Sequence, residues 1–257
     1  MASTMTADGR DKAAASGEWL FRPHLVVLVA AILLVVFIGL RLYQQAFGMS
    51  AGLDSTSPEF QTYWMTLVKI EIPVVFGVGI AVWSYLWFTR DRNLDQLDPK
   101  TEIRRYYNLV GWFFLYTVAF YWIASFFGEG DATWHQTVIR DTSFTASHNI
   151  VFYACIPTYM VIGIGSYLYA MTRIPAFARG FSVPLIMAVL GPALILPNLG
   201  FNEWGHAFWL TEEIFSHPLH WGFTTLGWTG IALGGVLMQA VHRLTELFRR
   251  MPAEQAA

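Results

Sequence analysis

The chain has 257 residues, of which 55% are hydrophobic and 16% aromatic, while only 13% are charged, about half the roughly 25% of a soluble domain. That balance excludes an ordinary soluble fold, and a net charge of −2 leaves no electrostatic footprint for nucleic acid. The single cysteine, Cys155, lies in an apolar run and excludes both an internal disulfide and a multi-thiolate metal site.

In chain order, residues 1–22 read as a flexible or interfacial lead. They are rich in Ala, Ser, Thr and Gly and lack the apolar run of a secretory signal. Apolar stretches follow near 24–46, 62–88, 106–127, 149–171, 181–201 and 220–242, each close to the roughly 20 residues that span a bilayer. The expected fold is therefore all-α, an integral membrane bundle of about six transmembrane helices over residues 23–248, with 249–257 as a tail. Arg90, Arg92, Lys100, Arg104 and Arg105 fall in the loop after the second stretch, Arg173 and Arg179 in the loop after the fourth, and Arg243, Arg249 and Arg250 at the end. The alternate loops hold mostly acids. The positive-inside rule then places both termini in the cytoplasm.

Several polar groups interrupt the apolar runs. Lys69 and Glu71 are two residues apart and point to different helix faces, which favours separate structural contacts. Pro73, Pro184, Pro192 and Pro197 are expected to bend or break their helices. The aromatics Phe113, Phe114, Tyr116, Phe120, Tyr121 and Trp122 read as packing or lipid-facing residues.

Five of the seven histidines lie in two blocks that this topology places outside the cytoplasm. The first runs from Asp131 through His135 to His148 and the second from Asn202 through His206 to His220. In each block the first two residues are four apart, hence on one face of a helix, and a second histidine follows. Each block can close a three-ligand metal site. Neutral imidazole is the commonest metal ligand, and two histidines with a carboxylate suit non-haem iron, zinc or copper. Asn202 brings less negative charge than Asp131, so the second site should hold its ion more weakly. His206 and His220 also have the spacing of paired haem ligands on one helix. Glu212, Glu213 and Pro218 between them argue against one continuous apolar helix. His24 and His242 sit at helix ends expected on the cytoplasmic side.

The runs DATWHQTVIRDTSFTASH (131–148) and ILPNLGFNEWGHAFW (195–209), with PLHWGF (218–223), resemble the C-type subunit of the copper membrane monooxygenases, the family of particulate methane, ammonia and short-chain alkane monooxygenases. The likeness extends over the chain from about Ala51 and includes the turn TRDRNLDQLDP that begins at Thr89. It implies one copper ion on Asp131, His135 and His148 and a second on Asn202, His206 and His220. It also implies hydroxylation of a small inert substrate by dioxygen and two electrons, with a membrane quinol as donor. Two further subunits, of A and B type, would complete a heterotrimer, three copies of which associate in a bacterial plasma or intracytoplasmic membrane. Trp134, Arg140, Asp141, Glu203 and Trp204 are candidates to support the ligands. The sequence departs from the family pattern at Gly128 and Gly130, at Ala146 in place of a proline, and at His217, an additional histidine; all six ligand positions are intact. Ser143, Met171 and Ala207 resemble the ammonia-oxidising members and Glu59–Met65 the methane-oxidising ones, so methane or another short alkane is the first expectation and ammonia the second. Two other classes are compatible with the sequence: a non-catalytic scaffold subunit of the same complex, and a proton-coupled transporter using Lys69 and Glu71.

Overall fold

The computed structural model describes residues 23–129, 146–190 and 221–251, all of which are helix, turn or irregular chain. Helix α1 spans Pro23–Ala51. Helix α2 spans Pro58–Phe88, with a π-helical turn at Gln61–Met65. Helix α3 is Pro99–Glu129 and α4 is Ala146–Arg173, the latter with a π turn at Val151–Cys155. The short α5, Pro175–Arg179, leads to α6 over 183–190, and α7 is Trp221–Arg250. Four of them, α1 to α4, are long and apolar enough to cross a membrane. These coincide with the first four predicted spans. The fifth predicted span is described only as far as residue 190, and the sixth falls on α7, which is not among these four.

The helices begin where local chemistry favours it. Pro58, Pro99 and Pro175 each open a helix, where the missing N–H is not needed. Ser57 caps α2 by accepting from Phe60 N at 3.1 Å, and Asp98 accepts from Thr101 N at 2.9 Å at the start of α3. Hydrogen bonds from the Thr101 hydroxyl and amide hold the Asp98 carboxyl below the usual carboxylate range. Pro73, expected to bend or break its helix, lies inside α2, which runs on unbroken through Thr66–Phe88. Its ring faces outward, where no packed neighbour opposes it.

Apolar residues outside are the rule here. In α1, Leu25, Val27, Leu28, Ile32, Val35 and Val36 are all exposed, while the buried residues form a seam of Ala30, Phe37, Gln44, Gly48 and Ala51. The steps of seven, seven, four and three along this seam keep one helix face toward α3 and the start of α4. A soluble helix would show the opposite arrangement.

At the centre, α4 packs against both α2 and α3, and small residues allow close approach. A Cβ at Gly79 of α2 would meet Val161 Cγ2 at 2.7 Å, and one at Gly163 or Gly165 of α4 would meet Tyr116 at 2.9 Å or Trp112 at 2.8 Å. Tyr116 stacks on Tyr159 with centroids 4.1 Å apart and donates its hydroxyl to Ala188 O of α6. Phe113, Tyr116 and Trp122 are buried, whereas Phe114 and Tyr121 are exposed, so the aromatic cluster divides between packing and the outer surface.

The end of the bundle carrying the 89–98 connection is clasped by charge-assisted hydrogen bonds. Arg105 donates to Asp91 Oδ2 at 2.7 Å and to Arg173 O at 2.5 Å. Arg173 in turn donates to Leu86 O, at 3.1 Å, and to the Thr89 hydroxyl, at 2.6 Å. The Asn93 amide and the Arg105 guanidinium hold the Asp91 carboxyl below its ordinary range. Arg179 pairs with Asp95 in the same region. On α7, Arg243 forms a fork with Glu102 of α3, Nε to Oε1 at 3.0 Å and Nη2 to Oε2 at 3.3 Å. Ser182 donates to Gln239 Oε1 at 2.7 Å, which ties α7 to the start of α6.

Candidate metal centre

His148 lies in the first turn of α4, at the end of the bundle where α1 finishes and α2 begins. It is 6% exposed, and its ring is tilted against Phe152 with centroids 5.3 Å apart. The whole turn Ala146–Ile150 is buried between α1 and α3, so Ser147, His148 and Asn149 are all enclosed although they point in three directions around the helix. Below it, the π turn ends at Cys155, and Pro157 follows in the first turn of the α-helical part. A proline there has no N–H to return to the carbonyl four residues earlier, and a widened turn accommodates the ring.

Close packing fixes the position of this turn. A Cβ at Gly52 would stand 3.0 Å from Ala146 Cβ, 3.1 Å from Trp64 Nε1 and 2.5 Å from Gly48 O. Gly52 therefore lets the end of α1 close over both the π turn of α2 and the first turn of α4. Nearby, Arg41 of α1 donates to Gln44 Oε1 at 3.2 Å and to Ser125 Oγ of α3 at 2.9 Å, with its guanidinium 3.8 Å above the Phe126 ring.

This half of the interior is unusually polar for a membrane bundle. Buried side-chain atoms without a hydrogen-bond partner include Ser147 Oγ, both Asn149 amide atoms, Trp64 Nε1, Trp122 Nε1 and Gln44 Nε2. Such groups are ordinarily served by internal water or by a ligand.

Of the six predicted ligands, His148 alone is among the described residues. Asp131, His135, Asn202, His206 and His220 lie outside them, as do Trp134, Arg140, Asp141, Glu203, Trp204 and His217. No group of three His, Cys, Asp or Glu side chains suited to a metal ion occurs among the described residues. What His148 contributes is a buried imidazole held in a packed turn, a donor that copper accepts. Cys155 is fully buried and seven residues deeper, about 10 Å along the helix, so it is no partner for that imidazole. Sequence position alone does not single out Ser147, Asn149 or Trp64. The one signal it offers is the polar triplet Ser147–His148–Asn149 at the head of an apolar run.

The AmoC family model, which describes the C-type subunit of ammonia monooxygenase/methane monooxygenase, matches residues 6–251. The chain belongs to that family. The match covers nearly the whole sequence, including both histidine blocks. No individual curated protein matches the chain. Membership makes the protein one component of a membrane monooxygenase complex of several subunits, in keeping with its four apolar spanning helices.

Proposed function

We propose that this chain binds copper at two sites, Asp131–His135–His148 and Asn202–His206–His220, and that the complex uses dioxygen and two electrons from a membrane quinol to hydroxylate a small inert substrate. The observation that supports this reading is the burial of His148 on a turn with orphaned polar side chains, in a chain of the AmoC family whose sequence carries both ligand sets that the resemblance implies. Imidazole-rich sites favour copper over the other divalent first-row metals. When bound, copper supplies the electron transfer and oxygen activation that acid–base side chains lack.

The chain's own part is to place and shield. The packed turn Ala146–Ile150 fixes His148, the Phe152 ring restricts its rotation, and Phe60, Trp64 and Ile150 close the surroundings against bulk water. An enclosed setting shielded from bulk water suits a small substrate such as methane or another short alkane, with ammonia the next alternative. The exposed apolar faces of α1 and α2 fit lipid and two partner subunits of A and B type, three such heterotrimers associating in a bacterial plasma or intracytoplasmic membrane. In this reading six spans form one membrane domain over 23–248, with both termini in the cytoplasm.

Product analysis of intact membranes supplied separately with methane, butane and ammonia tests the activity and ranks the substrates. The reading requires an oxygenated product, methanol or butanol foremost; membranes that convert none of the three would contradict it.

A further inference from the structure

The buried residues of the main part of helix α2, Trp64, Val68, Glu71, Gly79 and Leu86, lie along one stripe, while Lys69, Ile70, Ile72 and Val74 are exposed. Glu71 is therefore turned inward near the middle of a spanning helix. It is 7% exposed, and both of its carboxylate oxygens are buried with no hydrogen-bond partner. An acid kept at this depth, on the buried stripe, needs a reason, because an ionisable group inside a membrane is costly.

The surroundings supply a direction. Across from Glu71 is the π turn Val151–Cys155, against which α2 packs. Cys155 is fully buried and lies within electrostatic range of both Glu71 and Arg41. Arg41 holds Gln44 and Ser125 at 3.2 and 2.9 Å, and Lys69 is exposed on another face of α2. Cys155 is seven residues from His148 on α4, about 10 Å along the axis. The orphaned atoms of Ser147 and Asn149 occur on the turn that carries His148. Buried, unpaired polar groups of this kind are the sites that internal waters occupy.

We infer that Glu71 is a proton carrier, linked by internal water along α4 to the turn that carries Ser147, His148 and Asn149. The inference rests on the proposed oxygen chemistry. Hydroxylation by dioxygen takes two electrons and two protons from the reductant, a quinol, and yields one hydroxylated product and one water. In each transfer the Glu71 carboxyl O–H bond breaks and its proton passes to a neighbouring water, which hands on another toward the oxygen being reduced. The carboxylate regains its proton from water on the side where the quinol is oxidised, and no electron moves at Glu71.

The test uses the whole complex in native membranes, with Glu71→Gln and Glu71→Asp. Glu71→Gln should assemble with its copper content unchanged, lose the infrared carbonyl band of a protonated carboxylic acid, and turn over roughly tenfold or more slowly with an enlarged solvent deuterium isotope effect. Glu71→Asp should recover part of the rate. Wild-type turnover and isotope effect in Glu71→Gln would overturn the inference. Loss of copper or assembly in both variants would overturn it too, since the role would then be structural. A silent His148→Ala would instead count against the metal site, whatever Glu71 does.

Discussion

Arg243→Ala should loosen α7, the helix Trp221–Arg250. Its guanidinium forms two hydrogen bonds with Glu102, at 3.0 and 3.3 Å, and one with Glu246 Oε2 at 2.8 Å. The Glu102 side chain is 6% exposed and that of Arg243 27%, whereas Glu246 is 38% exposed. Removing the arginine strands a buried carboxylate, a loss of about 3–5 kcal/mol for a fully buried pair. The partial exposure of Arg243 favours the lower end, and the contact with exposed Glu246 adds little. About 3 kcal/mol is thus expected, with Arg243→Lys intermediate because an ammonium keeps the charge but not the fork. The hydrogen bond with Glu102 raises the Arg243 pKa. A raised value keeps this contribution fully present below the unfolded arginine pKa and loses it only as pH climbs through the folded one, so the arginine adds no pH dependence in the neutral range. Equilibrium unfolding of the purified complex in mixed micelles, run as a double-mutant cycle with Glu102→Leu, measures the pair. A coupling below about 0.5 kcal/mol would refute the reasoning.

Other outcomes follow from the topology and from the two ligand sets. Tags placed before Met1 and after Ala257 should be protected in intact cells, and one near Ser55 should be reachable from outside; an accessible C-terminus would overturn the six-span arrangement. On mild chelation the Asn202–His206–His220 site should empty before Asp131–His135–His148, because a neutral amide stands where the other has a carboxylate. Asn202→Asp should lengthen copper retention there, and equal loss from both sites would contradict the charge argument.

Apolar run length locates α1 to α4 because a lipid-facing helix must be apolar along its whole length, but it underestimates the helix ends. Helix α3 starts at Pro99, through Lys100, Glu102, Arg104 and Arg105, since Asp98 caps it and its first turn joins the charged clasp rather than the hydrocarbon. Pro73 removes one hydrogen bond from α2, yet the helix runs on through it. Side-chain direction is less legible than helix position. That Lys69 and Glu71 face differently follows from two steps of roughly 100°, yet which of them turns inward depends on where α4 packs. The same holds for Ser147, Asn149 and Trp64, whose burial without hydrogen-bond partners depends on tertiary packing. His148 is legible as a candidate ligand because of its spacing from Asp131 and His135, and its burial is what such a role requires.

Copper content of the assembled complex in washed native membranes, compared between wild type and His148→Ala, tests the central claim most directly. Loss of one imidazole leaves two ligands of three at the first site. The account predicts one copper fewer per complex, with assembly preserved and most oxygenase activity gone; unchanged copper in an assembled His148→Ala complex would contradict it.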